Sequence, residues 1–387
     1  MGAVVVTEAG KEFGGAQMLQ AFEALEDPRS RKCTYPLQEL LLVALSAVTS
    51  GADDWVSVAD WAQLKLQWLR RFLPFDNGIA SHDTFSRVFS LLDARCFEAC
   101  FVTWMRSLCP SLDGHVVAID GKSLRGSREG GVNMAHLVAA YSSSAGVALG
   151  QVRTARKSNE ITAIPALLEV LDVQGATITM DAMGCQREIV GQITDKGAHY
   201  VIGLKNNQPN LAQAVEALFD TADAAGTLQH AVTLDKDHGR LETRRCAVLQ
   251  DLSAISEHVQ AWPQLRSVVR VLSSREVVNG RARGGQPDTE RRYYISSLAL
   301  DAAELNGLIR SHWSIENQFH WVLDVSFDED ACRVRVGDGA QNLAILRRIA
   351  LNLLKQNKTV KASLNNKRLR AGWNIEYLQT VLGLTPR

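Results

Sequence analysis

Residues 310–330, RSHWSIENQFHWVLDVSFDED, decide the reading of this chain. The stretch reads as one long helix running into an acidic turn. Leu308, Trp313, Phe319 and Val322 recur at helical spacing, and His312, Glu316 and His320 follow at intervals of four, which stacks them on one face. An acid framed by histidines on so apolar a helix is costly to bury without a cation, a metal or a hydrogen-bond partner. Two acids upstream supply a reason for it. Asp120 ends the run HVVAID and Asp181 follows ATITM, so each reads as a carboxylate at the tip of a buried strand. Two strands and a helix that carry Asp120, Asp181 and Glu316 to one place would make a divalent-metal site. Like charges that close raise one another's pKa unless a cation holds them. Carboxylate oxygens suit Mg²⁺, with Mn²⁺ as a substitute. Two such ions about 3.5–4 Å apart can activate an attacking oxygen and stabilise a leaving oxygen in phosphoryl transfer. The competing readings are three separate surface acids, a helical Zn²⁺ cluster of His312, Glu316 and His320, and histidines that merely pack against neighbours.

Size and composition narrow the class. The 387 residues suffice for two or three domains, and 46% hydrophobic with 22% charged residues is ordinary for a globular protein, which excludes wholesale disorder. The longest apolar run, Leu40 to Val48, is too short to span a bilayer, and the start lacks the pattern of a secretory signal, so a cytoplasmic protein is expected. Seven irregularly spaced cysteines with no CxxC pair predict reduced thiols. The 42 basic and 42 acidic residues cancel, so any case for nucleic-acid binding rests on where the charges lie.

Along the chain, residues 1–112 read as helical, with helices expected at 18–25, 36–49, 56–72, 81–92 and 96–108. Residues 78–92 suggest a helix-turn-helix reader with Ser86 and Arg87 exposed. From 113 to 387 the pattern is mixed α/β. Strands are expected at 115–120, 136–142, 147–152, 176–180 and 199–204, and helices at 160–171, 186–196 and 210–222, with GKSLRGS as a polar turn. A β-rich insertion of alternating residues fills about 225–300, and a last helix covers about 340–356. Basic residues gather beside the acids: Lys122, Arg125 and Arg128; Arg153, Arg156 and Lys157; Lys205; Arg240, Arg244 and Arg245; Arg281, Arg283, Arg291 and Arg292. The tail adds Arg347, Arg348, Lys355, Lys358, Lys361, Lys367, Arg368 and Arg370. Their recurrence is the footprint expected of phosphate-backbone binding.

Seven stretches carry a family resemblance: VAIDGKSLRGS, the run from HLVAAYSSSAGVALG to ITAIPALLEVL, ITMDAMGCQREIV, YVIGLKNNQPNL, DHGRLETRRC, YYISSL and RSHWSIENQFHWVLDVSFDED. With them the chain resembles the H-repeat-associated transposases of bacterial insertion sequences, members of the DDE class with an RNase H-like core. The stretch LEDPRSRKCTYPLQELLLVAL resembles that family's transposase-associated N-terminal domain. The resemblance implies an RNase H-like mixed sheet with flanking helices, a β-rich insertion and an all-helical N-terminal domain. It implies Asp120, Asp181 and Glu316 as catalytic, metal-binding acids, Mg²⁺ as cofactor and DNA as substrate. Water would cut at the element's ends and the freed 3′-hydroxyl would attack target DNA, in an oligomer on paired ends. Lys122, Arg125, Lys205, Arg240, Arg244, His312 and Asn317 are the expected DNA contacts. Broader DDE relatives with such an insertion carry Tyr, Arg, Glu and Lys on the last helix, where this chain has Ile309, His312, Glu316 and Leu323, so a hairpin route is in doubt. Asp328, Glu329 and Asp330 offer an alternative third acid. A DNA-binding relic without catalysis and a nuclease without strand transfer are the competing functions.

Overall fold

The computed structural model describes residues 20–29, 33–127, 134–154, 160–237, 240–277 and 288–386. Helices lead: α1 (Leu37–Thr49), α2 (Trp55–Leu69), α3 (His82–Leu91) and α4 (Ala94–Leu108). Short polar side chains start three of them. Asp54 forms a capping box with Ser57, and Ser81 and Asp93 accept from the first free N–H groups of α3 and α4. The helix expected at 18–25 falls partly outside the described residues; what is described is helical at 20–21 and turns at 22–24. Residues 70–81 separate α2 from α3, far more than the turn of about three or four residues that a helix-turn-helix uses.

The sheet follows as β1 (Val116–Leu124), β2 (Ala135–Ser142), β3 (Val147–Arg153), helix α5 (Glu160–Val170), β4 (Thr177–Met180), helix α6 (Arg187–Asp195), β5 (His199–Leu204) and helix α7 (Pro209–Ala225). Strands β6 (His230–Asp237) and β7 (Arg240–Leu249), a short helix α8 (Ser256–Ala261), β8 (Ser267–Val277) and β9 (Asp288–Ser296) make the β-rich segment. Among the described residues the nine strands form one sheet in the order β3-β2-β1-β4-β5-β9-β8-β7-β6. β1, β3, β4 and β5 run in one direction and β2 runs against them, so the first five strands have the RNase H-like arrangement. The insertion continues that sheet, because β9 pairs antiparallel with β5 and a meander extends it outward.

Two local expectations need correction. GKSLRGS is not a turn: Gly121 to Leu124 stay in β1, paired with β2 down to Leu124↔Ala135, and only Arg125–Ser127 coil into a 3₁₀ turn. Asp120 therefore sits within a strand, though beyond the last pair with β4, Ala118↔Thr179. The glycine that suggested a turn has a packing reason. A Cβ at Gly121 would fall 2.1 Å from the Glu160 carboxylate and 2.5 Å from the His136 ring. Nor is 310–330 one helix. α9 (Ala302–His312) ends, Glu316–His320 form a π turn, and α10 (Trp321–Phe327) resumes. Such turns are frequent at functional sites.

The next helix, α11 (Gly339–Gln356), is buried from Gly339 to Leu354. It packs against α1, α3 and α4 on one side and β3 on the other, so the leading helices and the sheet share one hydrophobic core. A helix buried on nearly every side needs no broad polar face, and α1 is apolar at nine of its thirteen positions. Two further helices, α12 (Leu364–Trp373) and α13 (Ile375–Leu382), follow that the sequence reading did not anticipate.

Candidate active site

β1 and β4 run parallel and in register, with Ala118 opposite Thr179. Asp120 and Asp181 each lie two residues further on, at the same level of the sheet. Asp120 is partly buried. Asp181 is exposed, and its Oδ1 accepts from Met183 N at 2.8 Å, capping the short turn after β4. Glu316 opens the π turn on its exposed side, while Ile315, Phe319, Leu323 and Phe327 point into the core. Phe319 stacks on Tyr141 at 5.3 Å, and Lys355 Nζ donates to both Tyr141 Oη and the Gln318 carbonyl at 2.8 Å, which clamps the turn to β2 and α11.

Asp120 senses its surroundings. Burial, more than any neighbour, drives the Asp120 carboxyl up to about 7; the Gly121 N–H opposes this, and the charges of Glu160, Glu316 and Asp181 add to it. His320 places Nδ1 3.5 Å from Asp120 Oδ2. Burial, helped by Lys122 and Arg348, pushes His320 down to about 3, so a neutral ring faces Asp120 and supplies no countercharge. Its Nε2 is buried without a partner. His312 bonds Thr179 Oγ1 at 3.1 Å, and burial lowers its pKa against the pull of Asp181. Oxygen donors of like charge fit a hard divalent cation in charge and in ligand type. Among the described residues no three acid, histidine or cysteine side chains are grouped closely enough to hold an ion as they stand, and the Zn²⁺ cluster on His312, Glu316 and His320 is not formed.

The basic residues divide. Arg125, Lys205 and Asn317 are exposed, although Arg125 Nε also lies 3.3 Å from Asp330 Oδ2. Arg240 opens β7, and its side chain lies outside the described residues, as do Arg128, Arg156, Lys157, Arg281 and Arg283. Lys122 and Arg244, expected on DNA, are turned inward. Lys122 is buried, bonded to Asp324 and to the His320 carbonyl, and 3.3 Å from Glu329 Oε2. Arg244 is buried over the Trp313 ring at 4.4 Å, with Nε and Nη2 both on Glu242 Oε1. In the tail, Arg347, Arg348, Lys367 and Arg368 are buried, and only Lys358, Lys361 and Arg370 of its cations are exposed. Arg368 holds the carbonyls of Val48, Ala52 and Ser326 and the Asp53 carboxylate. A basic run in sequence is here largely a set of internal struts.

Sequence reasoning missed Glu160 and the Lys122 network. Glu160 starts a helix and pairs with His136 Nε2 at 2.8 Å. Lys122 ties β1 to α10 across about 200 positions, a pairing with no local signal. Lys122→Met is expected to cost on the order of 3 kcal/mol, because it leaves half-buried Asp324 without its cation and buried Glu329 with Arg348 alone. It is also expected to leave DNA affinity and its salt dependence unchanged. Urea unfolding and a salt titration of DNA binding check this; a salt slope lower by about one would make Lys122 a phosphate contact after all.

An RNase H-like sheet with acids on β1, after β4 and on a helix beside them defines the class of the fold. The chain belongs to the DDE transposase family: residues 111–353 match the model for the transposase DDE domain, and residues 19–105 match the DDE_Tnp_1-associated model. It is 39% identical over 369 residues to "Putative transposase YncI" of Escherichia coli O157:H7, covering 94% of each chain. It is 37% identical over 357 residues to "H repeat-associated putative transposase YhhI" of E. coli K12, covering 91% of this chain and 93% of that one. A piggyBac transposase synaptic complex with hairpin DNA aligns over 96% of this chain and 81% of that chain at 10% identity and a TM-score of 0.42, too distant a likeness to argue from. Among the described residues no helix is long and apolar enough to cross a membrane.

Proposed function

We propose that this chain is a DNA transposase that cuts at the ends of its element and joins the freed 3′ ends to target DNA, with Asp120, Asp181 and Glu316 as its metal-binding catalytic acids. The observation that carries the reading is the parallel register of β1 and β4, which sets Asp120 and Asp181 at one level, with the helix leading to Glu316 packed on those two strands. Mg²⁺, with Mn²⁺ as a substitute, would be held by these carboxylates and, when bound, supplies activation of the attacking oxygen and charge stabilisation at the leaving one. Neutral His320 adds no positive charge that would compete with a metal ion at Asp120, and Lys122 pins α10 to β1, so that the helix carrying Glu316 stays registered on the strand carrying Asp120. Exposed Arg125, Lys205 and Asn317 are the side chains best placed to meet phosphates, with Arg240 as a further DNA contact. Residues 1–112 would serve as a helical DNA-binding part and 113–387 as the catalytic part, and the protein would act as a homo-oligomer on two DNA ends.

The deciding experiment is Mg²⁺-dependent cleavage and joining of labelled DNA that carries the element's own ends. Cleavage followed by strand transfer supports a transposase. Cleavage without joining of pre-cut ends points to a nuclease, and binding without cleavage points to a relic.

A further inference from the structure

The sheet ends on β3 at one side and on β6 at the other, and the two ends are finished differently. An edge strand turns half of its N–H and C=O groups outward, away from its neighbour. On β3, side chains meet them. Asn352 Oδ1 accepts from Ala148 N at 2.9 Å, Asn352 Nδ2 donates to the Ala148 carbonyl at 2.8 Å, and Glu98 Oε1 accepts from Gln151 N at 2.8 Å. On β6, among the described residues, no other segment hydrogen-bonds the outward main chain.

The side chains of β6 also divide. Ala231, Thr233 and Asp235 are half-buried towards α9, where Asn306 Nδ2 donates to Thr233 Oγ1 at 3.3 Å and Arg310 Nη1 lies 2.7 Å from Asp235 Oδ2. His230, Val232, Leu234 and Lys236 alternate with them and take the opposite face. On that face α7 packs on β8 and β9, through Phe219 on Tyr293 and Asp223 on Arg270. Val232 is left 55% exposed and Leu234 66%. A strand edge that stays open to water ordinarily carries charge, proline or a bulge across its middle. The middle of β6 is Val232, Thr233 and Leu234, and its pairing with β7 runs without a bulge from His230↔Ala247 to Asp237↔Arg240.

We propose that β6 pairs antiparallel with β6 of a second copy of this chain, about a two-fold axis at Thr233, joining two sheets into one. A free row of main-chain donors and acceptors selects a strand as its occupant, because an added strand matches that row group for group. The residues around Thr233 select the chain's own strand. With Thr233 opposite itself, Val232 falls opposite Leu234 of the second copy, and Leu234 opposite its Val232. Four exposed apolar side chains then cover one another on one face, as a two-fold contact requires. An axis at Val232 would set Leu234 against His230, and an axis at Leu234 would set Val232 against Lys236. With the axis at Thr233, His230 and Lys236 close the ends of the paired stretch instead. This gives the homo-oligomer put forward above a surface, but it rests on the sheet edge and not on the cleavage reading.

The test is sedimentation velocity of the full chain without DNA or divalent ions, so that a failure here and a failure of cleavage are read separately. Wild type should shift from monomer to dimer as its concentration rises from about 1 μM to about 100 μM. Leu234→Lys should raise the dimer dissociation constant about tenfold or more, since two apolar pairs are lost and charge enters the middle of the edge, while circular dichroism stays unchanged. Crosslinking fixes the register. Across the axis the two Cα atoms of residue 233 would lie about 4.5–5.5 Å apart, within disulfide reach, so Thr233→Cys should form a covalent dimer on mild oxidation that wild type does not. In Lys236→Cys the two positions would lie about 20 Å apart, and the variant should run as a monomer on the same non-reducing gel. Wild type that remains a monomer throughout, Leu234→Lys that dimerises as wild type does, or the lack of a Thr233→Cys crosslink would each overturn the proposal.

Discussion

Glu316→Gln is expected to lower Mg²⁺-dependent DNA cleavage by about 10³-fold or more, while the fold and the affinity for DNA stay near wild type. The size follows from the several kcal/mol that metal ions contribute to stabilising charge in a phosphoryl-transfer transition state, at about 1.36 kcal/mol per tenfold in rate. The selectivity follows from the position of Glu316 on the outer side of the π turn, whose inner side is anchored by Ile315, Phe319 and Leu323. Glutamine keeps the shape and the exposed position and removes only the charge, so thermal unfolding should not move. The rival third acids are poorly placed by comparison. Glu329 is fully buried between Arg348 and Lys122, Asp330 lies 3.3 Å from Arg125, and Asp328 closes α10 with a positive φ. The readout is the rate of nicking of end-labelled element DNA in Mg²⁺, beside unfolding followed by circular dichroism. Wild-type nicking by Glu316→Gln would remove it from the site and turn attention to Glu160, whose charge also raises Asp120.

How far the sequence discloses this arrangement depends on the range of each interaction. The level of Asp120 with Asp181 was legible, because parallel strands in register carry equal offsets along with them, and both follow apolar runs. The anchoring of Glu316 was legible only in part: of Leu308, Trp313, Phe319 and Val322, read as the apolar face, only Phe319 is fully buried, and Ile315 and Leu323, four residues to either side of it, complete the anchor. That regularity also concealed the π turn, since the apolar stripe passes through it without a break. β1 was cut short because Gly121, Lys122 and Ser123 have turn chemistry, while what keeps them extended is pairing with β2 and the Glu160 carboxylate over Gly121. The insertion was visible as alternation. Its union with the core sheet was not, because β9 pairing with β5 links segments about 90 residues apart. The basic tail misled most. A cation's partner is not written beside it, and Arg348 and Arg368 find theirs 19 and 315 positions away.

Those internal cations set the second large effect. Glu329→Leu is expected to destabilise the protein by about 3–5 kcal/mol, since it strands two buried cations. Arg348 and Glu329 are both fully buried, 2.8 Å apart, and Lys122 approaches the other carboxylate oxygen at 3.3 Å. Burial alone would raise the Glu329 carboxyl, but Arg348, Lys122 and Arg347 outweigh it and hold it down at about 2. A carboxyl depressed from 4.5 to about 2 contributes roughly 3 kcal/mol, of the same order as the cost of breaking the pair. The sign is set by proton binding: between those two values the unfolded chain takes up a proton that the folded protein refuses. The contribution is therefore complete above about pH 4.5 and is lost as the pH falls towards 2. Urea unfolding at pH 7 and at pH 3 should show a smaller gap between wild type and Glu329→Leu at the lower pH, and an equal gap would mean that packing, not charge, sets the cost. The same network fixes Lys122 and, through Asp324, the helix after Glu316. Glu329→Leu should therefore also lower cleavage at temperatures where the variant is still folded, and unchanged cleavage there would separate the buried ion network from the placement of the acids.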